Sequence, residues 1–277
     1  MANSQKAAPA KKQGFQGVRA AIWIIILCFI AGVCFYQFVL GNPSNFQGGD
    51  NANAPLPGNL LGTIYKGGIV VPVIITLLFT AIALSVERSL ALGTANGKGK
   101  LAKFVADIKA ALAAGDINKA VDLCNKQQGV VGNVVMASLK TYKEMESTSG
   151  IKKEQKVSKI QQAHEEAVQL EMPTLQMNMP ILATLVTLGT LTALFGTVVG
   201  MIKSFAALAA GGGGDSLELS TGISEALVNT ASGILTSWVA VVAYNFYSNK
   251  IDKLTYALDE VGYTISQTYE ANHTEEA

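Results

Sequence analysis

Four stretches of this chain contain no charged side chain: 20–49, 67–86, 172–202 and 226–249. A charge in hydrocarbon is expensive, and each gap can hold the roughly 20 apolar residues that cross a bilayer. The pattern predicts four transmembrane helices, and composition agrees. Of 277 residues, 49% are hydrophobic and only 15% charged, an unusual balance for a soluble domain. The expected fold is an all-α membrane protein, whose long helices extend into a helical cytoplasmic domain. The net charge of +1 gives no global field for nucleic acid.

Orientation follows from the basic residues. Lys6, Lys11, Lys12 and Arg19 precede the first span, lysines crowd the segment after Glu87, and Lys250 and Lys253 follow the last. By the positive-inside rule, both termini and the large middle segment face the cytoplasm. The boundaries read as a tail at 1–20, a span at 21–40, an outer loop at 41–66, a span at 67–87 and a cytoplasmic helical domain at 88–176. A span at 177–205, an outer loop and helix start at 206–221, a span at 222–247 and a cytoplasmic tail at 248–277 complete the chain.

The first span is bulky nearly all round and has no small-residue cleavage site, so it reads as an uncleaved anchor at the periphery of a bundle, facing lipid. Segment 41–66 is dense in Gly, Asn and Pro and reads as an irregular loop. In the middle segment, Leu101, Phe104, Val105, Ile108, Ala111 and Leu112 form one helix face, Gly115-Asp116 a stop and a new cap, and Ile117, Ala120, Val121 and Cys124 a second face. Val157, Ile160, His164, Ala167 and Leu170 mark a narrow stripe that must bury against other helices or a neighbouring subunit. Pro173 and Pro180 allow bends before the third span.

Cys28, Cys34 and Cys124 lack the spacing for a disulfide or metal framework and read as apolar fillers. His164 and His273 are isolated and read as solvated helix-face residues. With no metal cluster, phosphate loop or nucleophile constellation, neither a metal, a cofactor nor an enzyme is expected; Gly211 to Gly214 reads as a turn.

The last two spans carry more polar groups than an anchor needs. Thr187, Thr190 and Thr197 follow one seam, while Gly189, Gly196 and Gly200 form a face that lets a neighbouring backbone approach and predicts a homo-oligomer. Asp215-Ser216-Leu217-Glu218 reads as a capping box. Glu225 then lies about 15 Å into the next helix. Asn229 shares its face, and Thr230 and Gly233 lie on an adjacent small-residue stripe. Glu225 either serves a proton pathway or pairs with Lys203. The threonines either line that pathway or bond to carbonyls one turn back.

Gly-Thr-Val-Val-Gly-Met-Ile at 196–202, Gly-Ile-Ser-Glu-Ala-Leu-Val-Asn-Thr-Ala-Ser-Gly at 222–233 and Tyr244-Asn245 resemble the ExbB, TolQ and MotA proton-channel family, ExbB most closely, over roughly residues 67–270. The resemblance implies an inner-membrane homopentamer with the single-span helices of an ExbD-like dimer in its pore. It also implies a TonB-like protein driven by the proton gradient for outer-membrane transport. It assigns pore positions to Thr197 and Thr230 and the membrane glutamate to Glu225. Two features depart from the family: Gly189-Thr190 stands where Ala-Pro is usual, and residues 1–66 add a helix to its three-helix pattern. Alternatives are a TolQ-like or a gliding or flagellar stator-like subunit, and a non-conducting scaffold.

Overall fold

The computed structural model describes residues 21–210 and 216–273. Among them every extended element is helical, and four helical segments are long and apolar enough to cross a membrane. The basic tail, the Gly211 to Gly214 turn and the Asp215 cap lie outside the described residues, and the reciprocal contact of Glu218 lies with them. The chain divides into two compact units.

One unit holds residues 21–87, 178–210 and 216–247. Helix α1 (Ala21–Cys34) passes into a π-helical turn, Phe35–Leu40. Most of its large side chains, Trp23 and Leu27 among them, are exposed, and its close contact is Gly32 against Thr76. Both facts suit the periphery of a bundle.

Segment 41–66 is irregular as far as Asn59, as its composition predicts, but it is held in place by side-chain caps and ends in a short helix. Asn45 Nδ2 donates to the carbonyls of Val39 and Leu40 (2.9 and 3.0 Å), satisfying acceptors that the helix end leaves open. Asn59 caps the short α2 (Leu60–Tyr65), and Tyr65 stacks on Tyr36 at 4.7 Å. The asparagines that signal turns here act as caps, which fold the segment onto the end of α1. Next come α3 (Val71–Asn96), with Pro72 harmlessly in its first turn, α8 (Met179–Ala210) and α9 (Ser216–Asn272).

The other unit holds residues 88–177 and 248–273. Here lie α4 (Leu101–Ala113), α5 (Ile117–Gln127), α6 (Gly129–Ser147) and α7 (Lys153–Gln176); the predicted faces of α4 and α5 are buried apart from half-buried Leu101 and Val121, while on the stripe of α7 Ile160 and His164 are buried, Val157 and Ala167 half-buried and Leu170 80% exposed. Gly115 takes φ +71° and Asp116 accepts from Lys119 N–H, the expected stop and cap. Arg88 is fully buried and donates to the carbonyls of Thr174 and Leu175 near the end of α7. Helix α7 ends before Met177 and α8 starts at Met179, between the two prolines, and Asn178 takes φ +62°.

His164 is not solvated. It is 7% exposed, its Nδ1 lies 2.8 Å from Ser138 Oγ, and its ring fills the space that a side chain at Gly262 would need. Desolvation lowers its pKa, against the opposing pull of Asp259, Glu165 and the Leu258 backbone. Its place on the stripe with Val157 and Ile160 pointed to this burial, whereas its isolation from other histidines and cysteines pointed to solvent.

A polar seam between two apolar helices

Helices α8 and α9 meet along their small residues. A Cβ on Gly189 would sit 2.5 Å from Ser237 Oγ, one on Gly196 2.7 Å from Asn229 Cβ, and one on Gly200 3.0 Å from Ala226 Cβ; Gly233 is pressed against Ala193. The glycine face expected to receive a second subunit therefore receives α9 of the same chain. The reason is geometric: antiparallel neighbours joined by a short connection reach each other first, and small residues let the backbones close. That face no longer demands an oligomer.

Within this seam the polar groups form layers. Thr197 Oγ1 and Thr230 Oγ1 are 2.5 Å apart, and each also reaches a carbonyl one turn back, Ala193 O at 3.0 Å and Ala226 O at 3.1 Å. Two hydroxyl protons serve three contacts, so one threonine donates to its carbonyl and the other donates to that threonine. The roles can exchange. Seven residues further along each helix, about 10 Å away by helical rise, Thr190 Oγ1 and Ser237 Oγ lie 2.9 Å apart. The bonds to carbonyls one turn back are therefore present at Thr197 and Thr230, beside contacts between hydroxyls across the seam. Thr187 is exposed and joins no layer.

The third layer is ionic. Lys203 Nζ donates to Glu225 Oε1 at 2.8 Å, with the Glu225 side chain 10% and the Lys203 side chain 53% exposed. The backbone at Gly68, held at φ +78°, presses on the same carboxylate and leaves no room for a side chain. Asn229 is fully buried, its Nδ2 donates to Gly67 O at 2.9 Å, and its Oδ1 has no partner. So Glu225 and Asn229 face the turn at 67–68 and α8 rather than open space. Ser237, Gly67 and Gly68 were missed in the sequence: a serine in a small-residue stripe and a glycine pair at a helix start are too common to stand out.

The chain matches the model of the MotA/TolQ/ExbB proton channel family over residues 127–260, a span that holds every polar layer of the seam. It is 29% identical to the Tol-Pal system protein TolQ of Haemophilus influenzae, over 71% of this chain and 87% of that protein. It is 30% identical to the TolQ of Pseudomonas aeruginosa, over 45% of this chain and 54% of that one. A putative biopolymer transport protein, ExbB-like 1, of Synechocystis shares 40% identity over 67 residues, 23% of this chain and 26% of its own. The chain thus carries a domain of the MotA/TolQ/ExbB proton channel family.

Proposed function

We propose that this protein is the proton-conducting, multi-pass subunit of an inner-membrane motor driven by the proton gradient, with both termini in the cytoplasm. The observation that carries the reading is the stack of three polar layers, Lys203–Glu225, Thr197–Thr230 and Thr190–Ser237, between helices otherwise apolar enough to lie in a bilayer. Its oligomer is five-fold by family resemblance, and a single-span partner occupies the pore.

Two partner sets compete. The sequence motifs favour an ExbD-like partner and a TonB-like protein for outer-membrane transport, whereas the extent of the match to the Haemophilus protein favours a Tol-Pal-type role. Co-expression with each single-span partner, followed by native mass spectrometry and proton flux in proteoliposomes, separates them. The correct partner co-purifies and raises flux. Flux at background level with every partner would leave the non-conducting scaffold.

A further inference from the structure

One acceptor in the seam has nothing to accept. Asn229 is fully buried, its Nδ2 is committed to Gly67 O at 2.9 Å, and among the described residues its Oδ1 has no hydrogen-bond partner. Turning the amide over would only set an oxygen against the Gly67 carbonyl, acceptor against acceptor. Helix α8 also hems it in: a Cβ on Gly196 would sit 2.9 Å from its Cγ and 3.0 Å from its Nδ2. A buried acceptor without a donor is costly, so the group that supplies one matters.

The neighbouring donors are already used. The hydroxyl protons of Thr197 and Thr230 serve each other and the carbonyls of Ala193 and Ala226. The Tyr36 hydroxyl, which feels the Glu225 charge, donates to Tyr65 O at 3.2 Å, and Lys66 beside the turn donates to Ala52 O at 2.9 Å. Lys203 Nζ donates to Glu225 Oε1. Among the described residues, Lys203 on α8 and Tyr36 on the turn after α1 are thus the titratable groups that act on Glu225, and the turn before α3 brings only the backbone of Gly67-Gly68.

The donor that remains is Glu225 itself. It lies four residues before Asn229 on α9, a step that sets two side chains on one face with Cβ atoms about 5–6 Å apart, where carboxyl and amide groups bond. Both lean on the same turn, since Gly68 presses on the carboxylate and Gly67 receives the amide. Lys203 holds Oε1, whereas Oε2 makes no hydrogen bond among the described residues. An ionised carboxyl only accepts, and a protonated one donates.

We propose that Asn229 Oδ1 receives Glu225 in its protonated form. Ionised, Glu225 pairs with Lys203. On gaining a solvent proton at Oε2 it gives up the ion pair, Lys203 keeps its own proton and its half-exposed ammonium turns to water, and the new O–H donates to Asn229 Oδ1. The proton then lies one turn nearer the Thr197–Thr230 layer, because Asn229 adjoins Thr230 and packs on Gly196, the neighbour of Thr197. As a step of a proton route this rests on the function proposed above; the contact itself does not.

The test is pH-difference infrared spectroscopy of the full-length protein in lipid vesicles, with no gradient imposed and with asparagine isotope-labelled at its side-chain carbonyl. Loss in Glu225→Gln identifies the carboxyl band of protonated Glu225. The labelled amide band is expected to move to lower wavenumber over the same pH range and to stay still in Glu225→Gln. In Asn229→Leu, which keeps the volume and removes the acceptor, the Glu225 band should move to higher wavenumber. Its protonated fraction at a given pH should fall about threefold to tenfold, the effect of losing one neutral hydrogen bond. Asn229→Leu also loses the Gly67 contact, so if it fails to fold, the wild-type amide band against Glu225→Gln decides alone. An amide band indifferent to the protonation of Glu225 means that water serves Oδ1 and overturns the proposal. So does a Glu225 carboxyl band that is absent at every pH the folded protein tolerates, or one unmoved in Asn229→Leu. Proton flux is scored separately: an amide response in a protein without flux keeps the contact and removes the route.

Discussion

Replacing Thr197 or Thr230 by valine separates proton transfer from packing. In the native pair the two hydroxyl protons make two hydrogen bonds at a time, distributed over the Thr197–Thr230 contact and the carbonyls of Ala193 and Ala226. Valine at one site leaves the other threonine donating to its own carbonyl, so one bond is lost. In membrane helices such a bond averages about 0.6 kcal/mol and reaches about 1.7. Valine keeps the branched shape, so no cavity opens. Thermal midpoint and oligomeric state should therefore stay close to wild type. The exchange of donor and acceptor roles is abolished, however, and a route that depends on it should slow about tenfold or more, a barrier increase of about 1.4 kcal/mol. The assay is proton uptake by proteoliposomes under an imposed potassium diffusion potential, with the single-span partner present. Wild-type flux in the doubly substituted Thr197→Val, Thr230→Val protein would refute the pore assignment.

Lys203→Ala removes the half-exposed partner of a carboxylate that is nearly buried, and it should cost about 1–2 kcal/mol of stability in chemical unfolding, between the values for exposed and fully buried pairs. The exchanged pair Lys203→Glu with Glu225→Lys should regain that stability and, if pairing is the only task of Glu225, flux as well; stability without flux assigns Glu225 to proton handling. Gly233→Val drives a side chain into Ala193 and should abolish correct assembly of α8 with α9, read as loss of the folded fraction in detergent. Because burial holds His164 below its ordinary pKa of about 6.5, its neutral form is the one the fold accommodates. Its contribution is intact above that value and falls as pH drops below it, since the unfolded chain then takes up the proton first. The thermal midpoint should fall between pH 7 and pH 5.5, less steeply in His164→Gln; identical slopes would rule this out.

Four helices long and apolar enough to cross a membrane were legible because the bilayer penalises every charge, so the charge-free stretches after Arg19, Lys66, Glu171 and Glu225 stand out. Helices α4 and α5 were legible for a similar reason: period and cap coincide at Gly115-Asp116. Segment 41–66 was legible only in part, because Asn45 caps a helix that ends five residues earlier and Asn59 one that starts beside it, and residue type alone does not distinguish a cap from a turn. The candidate site was half legible. Thr197, Thr230 and Glu225 stand out by their cost in lipid, but what they face depends on helix rotation. A glycine face states only that some backbone comes close; it does not state whose.

The seam supplies its own comparison between packing and chemistry. At Ala193–Gly233 and at Gly200–Ala226 the two helices close on each other with no side-chain polar atom, so contact between α8 and α9 does not require hydroxyls. Yet hydroxyls meet across the same interface at Thr197–Thr230 and Thr190–Ser237, and an ion pair with a buried carboxylate and a half-exposed ammonium lies at Lys203–Glu225. Each of these groups needs an internal partner where an alanine would need none. A scaffold gains little from that arrangement, because the apolar layers already hold the helices together. A proton route gains neutral groups whose donor and acceptor roles can reverse, placed so that no fixed charge lies between the Glu225 layer and Ser237. The alternation of dry and hydroxyl-bearing layers is thus the feature by which the seam favours conduction over anchoring.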